Sequence, residues 1–95
     1  MRLISNKKLR DFAAQHHLAD DPLQAWRRII EKNHFATFAD LKRSFNSVDK
    51  VDDLYVFNIS GQKYRLVAFI QFRKQTVYVK QVLTHKEYDK GGWKS

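Results

Sequence analysis

Ninety-five residues without a single cysteine make one domain (1–95) with one modest core, and they exclude disulfides, thiolate metal sites and cysteine nucleophiles. Lys and Arg number 18 against 10 Asp and Glu, a net charge of +8, so the expected partners are polyanions or an acidic protein. No apolar run approaches the roughly 20 residues of a membrane span, and no signal-peptide core follows Met1-Arg2-Leu3-Ile4-Ser5; a soluble protein of a reducing cytoplasm is expected.

Arg2-Leu3-Ile4 is short and apolar, and reads as a strand added to a sheet edge. Ser5 then serves as N-cap for a helix that carries Leu9, Phe12, Ala13 and His16 on one side and ends near His17. The next start signal is Asp21 as N-cap with Pro22 at the first helical position and Gln24 three residues after the cap, which predicts a helix over residues 22–32. Its apolar stripe, Leu23, Trp26, Ile29 and Ile30, opposes Arg27, Arg28, Glu31 and Lys32. Thr37 caps a shorter helix over residues 38–45, with Asp40 placed as a capping acid, and the polar residues 46–53 read as a loop.

Three antiparallel strands follow, rich in Val, Ile, Tyr, Phe and Thr. A two-residue turn at Ser60-Gly61 would pair Ile59 with Gln62, and a second turn is centred on Lys74-Gln75. This places Tyr55, Phe57, Ile59, Tyr64, Leu66, Ala68, Ile70, Phe72, Val77, Val79 and Leu83 on one apolar side, which the helices must cover. The opposite side receives Lys63, Arg65, Gln71, Arg73, Thr76, Tyr78 and Lys80, with Val67, Phe69 and Val82 interleaved. Residues 91–95 read as a flexible tail. The expected class is α+β, N-terminal helices packed on one face of a small antiparallel sheet.

No metal site is legible: His16 and His17 point apart on a helix, His34 is isolated, and no carboxylates stand at ligand spacing. No Gly-rich phosphate loop occurs, and Ser60 is better explained as a turn residue than as the nucleophile of a triad with His85 and Asp89. Lys63, Arg65, Arg73, Lys80, His85 and Tyr88 remain, gathered about one end and one face of the sheet. Metal-free RNA cleavage suits that set. Attack of a ribose 2'-OH on the adjacent phosphorus needs a proton acceptor, a cation for the charge on phosphorus and an acid for the 5'-oxygen. His85 can exchange protons near neutrality, Arg65 can fork onto two phosphate oxygens, Lys63 or Lys80 can add charge, and Tyr88 can stack on a base or donate its phenolic proton. Lys7, Lys8, Arg10, Arg27 and Arg28 on the helices, with Lys86 beside His85, offer further phosphate contacts. A basic face that only binds an anionic partner accounts for the same residues.

The stretch Asp53-Leu54-Tyr55-Val56-Phe57-Asn58-Ile59-Ser60-Gly61, the strand Tyr64-Arg65-Leu66-Val67-Ala68 and above all Thr84-His85-Lys86-Glu87-Tyr88-Asp89-Lys90 resemble the HigB toxins of the RelE/ParE-like superfamily. The resemblance implies a RelE-like fold and the toxin of a type II toxin-antitoxin system, an endoribonuclease that cleaves mRNA on the ribosome without a cofactor. It implies a HigA-like helix-turn-helix antitoxin as partner, with a monomer when free and a heterotetramer in the complex. Arg65 falls where such toxins keep a phosphate-binding arginine, and His85 and Tyr88 fall in the motif that carries acid, base or stacking groups. Lys80 falls where several relatives keep a basic residue. The rivals are a ParE-like gyrase inhibitor and a non-catalytic RNA-binding protein.

Overall fold

Alternation of Tyr55, Phe57 and Ile59 with outward neighbours commits the middle of the chain to a strand, and the helices on either side of residue 20 supply its cover. The computed structural model describes residues 1–94. They run β1 (Arg2–Ile4), α1 (Asn6–Gln15), a 3-10 turn (His17–Ala19), α2 (Asp20–Lys32), α3 (Phe38–Ser44), β2 (Asp49–Val51), β3 (Leu54–Ile59), β4 (Tyr64–Gln71), β5 (Thr76–Thr84), α4 (His85–Lys90) and a closing 3-10 turn (Gly92–Lys94). Among the described residues the strands form one sheet in the order β1-β5-β4-β3-β2, antiparallel throughout except that β1 lies parallel to β5. The expected α+β arrangement is the observed one.

Two elements escape the sequence reading. β2 lies inside the expected loop of residues 46–53, because Asp49 and Lys50 are exposed and leave no apolar alternation to read. A short polar strand is what a solvent-facing sheet edge tolerates. α4 follows β5 directly: the Thr84 hydroxyl accepts from Glu87 N–H while the Glu87 carboxylate accepts from Thr84 N–H, a capping box that starts the helix at His85.

Helix α2 begins at Asp20, earlier than the expected start at Pro22. A proline costs nothing in the first turn, whose N–H groups have no intrahelical acceptor, and Asp20 and Asp21 both complement the positive end of the helix dipole. Leu23, Trp26 and Ile30 are buried, but Ile29, expected in the same stripe, is 38% exposed. Thr37 caps α3 as expected, accepting from Asp40 N–H. The main core packs Leu9, Leu23, Trp26, Ile30, Phe35 and Leu41 against Phe57, Leu66, Ala68, Ile70 and Val77. Phe57 receives the edges of Trp26 and Phe45, with ring centroids 5.2 and 5.1 Å away.

Both hairpin loops are longer than expected. Ile59 pairs with Tyr64 and Gln71 with Thr76, so residues 60–63 and 72–75 form the loops. Each is longer by an even number than a two-residue turn, so the strand faces at the hairpin ends stay as read. The sides change farther along β5. Ala68 pairs with Val79 but Val67 with Gln81, so Lys80 is the extra residue of a β-bulge. Beyond it Val82 packs on the helix-covered core and Leu83 joins the opposite face, the reverse of the expected assignment.

That opposite face is not an open basic surface. Val56, Val67 and Trp93 form a second buried cluster, with Val51, Leu54, Leu83 and Tyr88 packed around it. The expected flexible tail is therefore corrected: Gly91 takes a left-handed backbone (φ 77°) that ends α4 and turns the chain back, and Trp93 is buried over the sheet. Ser95 lies outside the described residues.

Candidate active site

Arg65 stands one residue into β4, opposite Asn58 and Leu83, and is only 9% exposed. Its guanidinium is held from three directions. Nη1 donates to the carbonyls of Gln62 (2.8 Å) and Tyr64 (3.4 Å), Nη2 lies 3.2 Å from His85 Nδ1, and the Tyr88 ring centroid is 5.3 Å from its central carbon. Among the described residues no carboxylate pairs with Arg65. A buried cation without an anion is costly, and here carbonyl dipoles and an aromatic face offset part of that cost.

His85 is positioned by its own helix. The capping box holds the first turn of α4, and His85 N–H donates to Lys63 O (3.0 Å), tying α4 to the loop before β4. A guanidinium has only donors, so Nδ1 must be the acceptor in the contact with Arg65, which puts the ring proton on Nε2. That nitrogen lies 3.0 Å from Asp89 Oδ2, one turn along α4. Asp89, His85 and Arg65 thus form a continuous chain, deeply buried at Arg65 and open to solvent at Asp89. Tyr88 is backed by Trp93, whose ring stacks at 4.9 Å and 14° and whose Nε1 donates to Tyr88 O.

The other expected residues distribute around this centre. Lys63 contributes its backbone carbonyl, while its exposed side chain lies in the 60–63 loop and not on the sheet face. Lys86 is exposed beside His85. Lys80 is the bulge residue; it lines a cleft of about 300 Å³ with Leu54, Val67, Gln81, Trp93 and Lys94, next to Trp93 rather than in contact with Arg65. Arg73 is not part of the site. It sits in the 72–75 loop, eight residues along the chain from Arg65 and roughly 26 Å away at strand rise. On the helices, Lys7 pairs with Asp11 (2.9 Å), Arg27 pairs with Glu31 (3.1 Å), and Lys8 donates to Lys80 O. Among the described residues no group of His, Asp and Glu is arranged to hold a metal ion.

A family model, described as the HigB toxin, RelE-like toxic component of a toxin-antitoxin system, matches residues 19–91. The chain belongs to the HigB toxin family. It is 39% identical over 92 residues to the mRNA interferase toxin HigB of Escherichia coli K12, spanning 94% of this chain and 88% of that protein, and equally to the mRNA interferase HigB of Shigella flexneri. A more distant mRNA interferase HigB, from Escherichia coli O6:H1, is 27% identical over 93 residues.

Two residues of this centre escape the sequence reading. Trp93 lies in a stretch whose two glycines and length suggest a tail, and only its bulk and apolarity hinted at burial. Asp89 enters the sequence reading only as part of a serine triad, although its i,i+4 spacing from His85 becomes a signal once the Thr84-Glu87 capping box predicts a helix there.

Proposed function

We propose that this HigB-family chain is an mRNA interferase, cleaving mRNA on the translating ribosome with its own side chains and no cofactor. The observation that carries the reading is Arg65: a nearly buried guanidinium with no carboxylate partner, donating to the imidazole of a half-exposed histidine. Such a cation is completed by an anion brought to it, and a phosphodiester is the anion that the imidazole beside it can process.

In this reading the scissile phosphate docks at the outer edge of Arg65, and the guanidinium stabilises the extra negative charge as the 2'-oxygen bonds to phosphorus. A proton leaves the 2'-OH and another reaches the departing 5'-oxygen, giving a 2',3'-cyclic phosphate and a 5'-OH end. His85 serves one of these transfers through Nε2, the nitrogen on the solvent side, with Asp89 orienting the ring. With a guanidinium and an indole already against its ring, Tyr88 offers its hydroxyl more readily than a stacking face. Lys80, Lys63 and Lys86 border the site and hold the flanking phosphates, and the +8 charge favours the ribosomal RNA surface. The same reading carries a cytoplasmic location, and a HigA-like antitoxin that holds the otherwise monomeric toxin in a heterotetramer.

The test is single-turnover cleavage of mRNA in programmed ribosome complexes, with ribosome binding measured beside it. Arg65→Ala should slow cleavage about a hundredfold or more, and His85→Ala by about a hundredfold to ten-thousandfold, with binding nearly unchanged. Loss of activity only in proportion to lost binding would remove the catalytic assignment and leave an RNA-binding protein. Intact mRNA accompanied by inhibited gyrase would transfer the chain to the ParE-like reading.

A further inference from the structure

Helix α2 has two apolar faces, and the fold uses one. Leu23, Trp26 and Ile30 are buried against the sheet. Leu18, Pro22, Ala25 and Ile29 recur at intervals of four, three and four residues, which sets them on a second stripe turned roughly 100° from the first. Leu18 precedes the helix, but Ala19 and Asp20 both have right-handed helical backbone, so the path continues through the 3-10 turn. Among the described residues the exposed large hydrophobics are Leu18 at 68% and Ile29 at 38%, and both fall on this stripe. Scattered exposed apolar residues need no explanation, whereas two aligned along one helix form a contiguous strip.

Helical geometry puts Asp21, Arg28 and Lys32 along the border of the strip away from the core. All three are exposed, and among the described residues none of them forms an ion pair, while Arg27 on the far side is neutralised by Glu31. The C-terminal half of the strip therefore offers an apolar ridge beside two uncommitted cations.

We propose that this strip is a docking site for the antitoxin, taken up by an amphipathic helix whose apolar side covers Leu18, Ala25 and Ile29 and whose flanking carboxylates meet Arg28 and Lys32. Charge selects this occupant over a second copy. Two chains of +8 repel, and a strip about 16 Å long buries far less than the roughly 800 Å² per partner of a stable interface. An acidic helix gains from the same field that keeps two copies apart, and the strip then serves as one anchor of a larger contact. The assignment rests on the pairing of toxin and antitoxin in this family and not on the cleavage chemistry, so each can fail alone.

The experiment titrates the purified antitoxin of the same system into the full chain and its Ile29→Glu and Leu18→Glu variants, and records growth arrest by each variant with and without antitoxin. Either substitution should weaken antitoxin binding about thirtyfold or more, as loss of an interface hot spot does, and should leave growth arrest that antitoxin no longer relieves. Leu18 is exposed enough that its variant keeps the fold even if the Ile29 variant does not. Parent-like antitoxin affinity in Leu18→Glu and in folded Ile29→Glu would overturn the proposal. So would a dimer of the free chain abolished by these changes, which would assign the strip to a second copy, or folded variants that bind antitoxin normally but lose toxicity, which would assign it to the target.

Discussion

Replacing Trp93 with alanine separates a structural C-terminus from a dispensable tail. Trp93 is 7% exposed, closes the small cluster over Val56 and Val67, donates Nε1 to Tyr88 O, and stacks on the Tyr88 ring. Removing a buried Trp costs about 3–5 kcal/mol, and the lower end applies because this cluster lies at the sheet surface and can partly close. At about 4–8 °C per kcal/mol for a domain of this size, about 3 kcal/mol lowers the thermal midpoint by at least about 12 °C. Trp93→Phe should recover about half of that, keeping a ring for Tyr88 but losing the N–H donor. Thermal unfolding followed by circular dichroism measures the midpoints, and cleavage assayed well below all of them tests whether a slackened Tyr88 loosens Arg65. A midpoint within about 4 °C of the parent in Trp93→Ala would refute the reasoning and make the indole an ornament of the surface.

Three further outcomes are expected. Burial, with the Asp53 carboxylate as the smaller cause, raises the Tyr55 phenol above its ordinary value, so the neutral phenol is favoured by folding. Its contribution is fully present below the unfolded pKa of about 10 and is lost as pH rises through the folded value; Tyr55→Phe should flatten the alkaline fall in stability seen by denaturant unfolding above that pH. Asp89→Asn keeps an oxygen that can accept from His85 Nε2 but removes its charge, so cleavage should fall about tenfold with ribosome binding intact, and an unchanged rate would dismiss Asp89 as an orienting group. Charge reversal at Arg10 and Arg28 should weaken ribosome co-sedimentation at moderate salt more than reversal at Lys7 and Arg27, whose charges are already met by Asp11 and Glu31; equal losses would mean that the local pairs are irrelevant.

What the sequence made legible follows from which signals are local. The stripes of α1 and α2, the Thr37 cap of α3 and the alternation in β3 and β4 are written in neighbouring residues, and they sufficed for the fold class and for placing Arg65 near His85, whereas the expected Asp21 cap lies inside the first turn of α2 and Ser5 makes no capping hydrogen bond. The assignment of Leu83 and Val82 failed because a bulge is set by the pairing of two strands, and nothing in Val79-Lys80-Gln81 announces it. Burial of Arg65 was missed for a related reason. Its cover includes the Tyr88 ring, itself backed by Trp93, more than 20 positions away along the chain, and a periodicity argument sees only the strand on which a side chain stands. Ile29 shows the converse: a residue with the right spacing can miss the core when the helix presents two apolar stripes and the sheet is wide enough for one.

The extra residue at Lys80 divides β5 into two half-strands of opposite phase. Thr76 to Val79 keep time with the helical layer, and the portion after the bulge delivers Leu83 to the reverse of the sheet and fixes the direction in which Thr84 launches α4. Deleting one residue there would close the bulge into a regular ladder and leave Thr84 opposite Tyr64, whereas deleting two would turn that launch point to the other side, carrying His85 away from Arg65 without altering either residue. Odd and even thus govern how Arg65 and His85 meet, and between Val79 and Thr84 a single deletion should be tolerated where a double one is not.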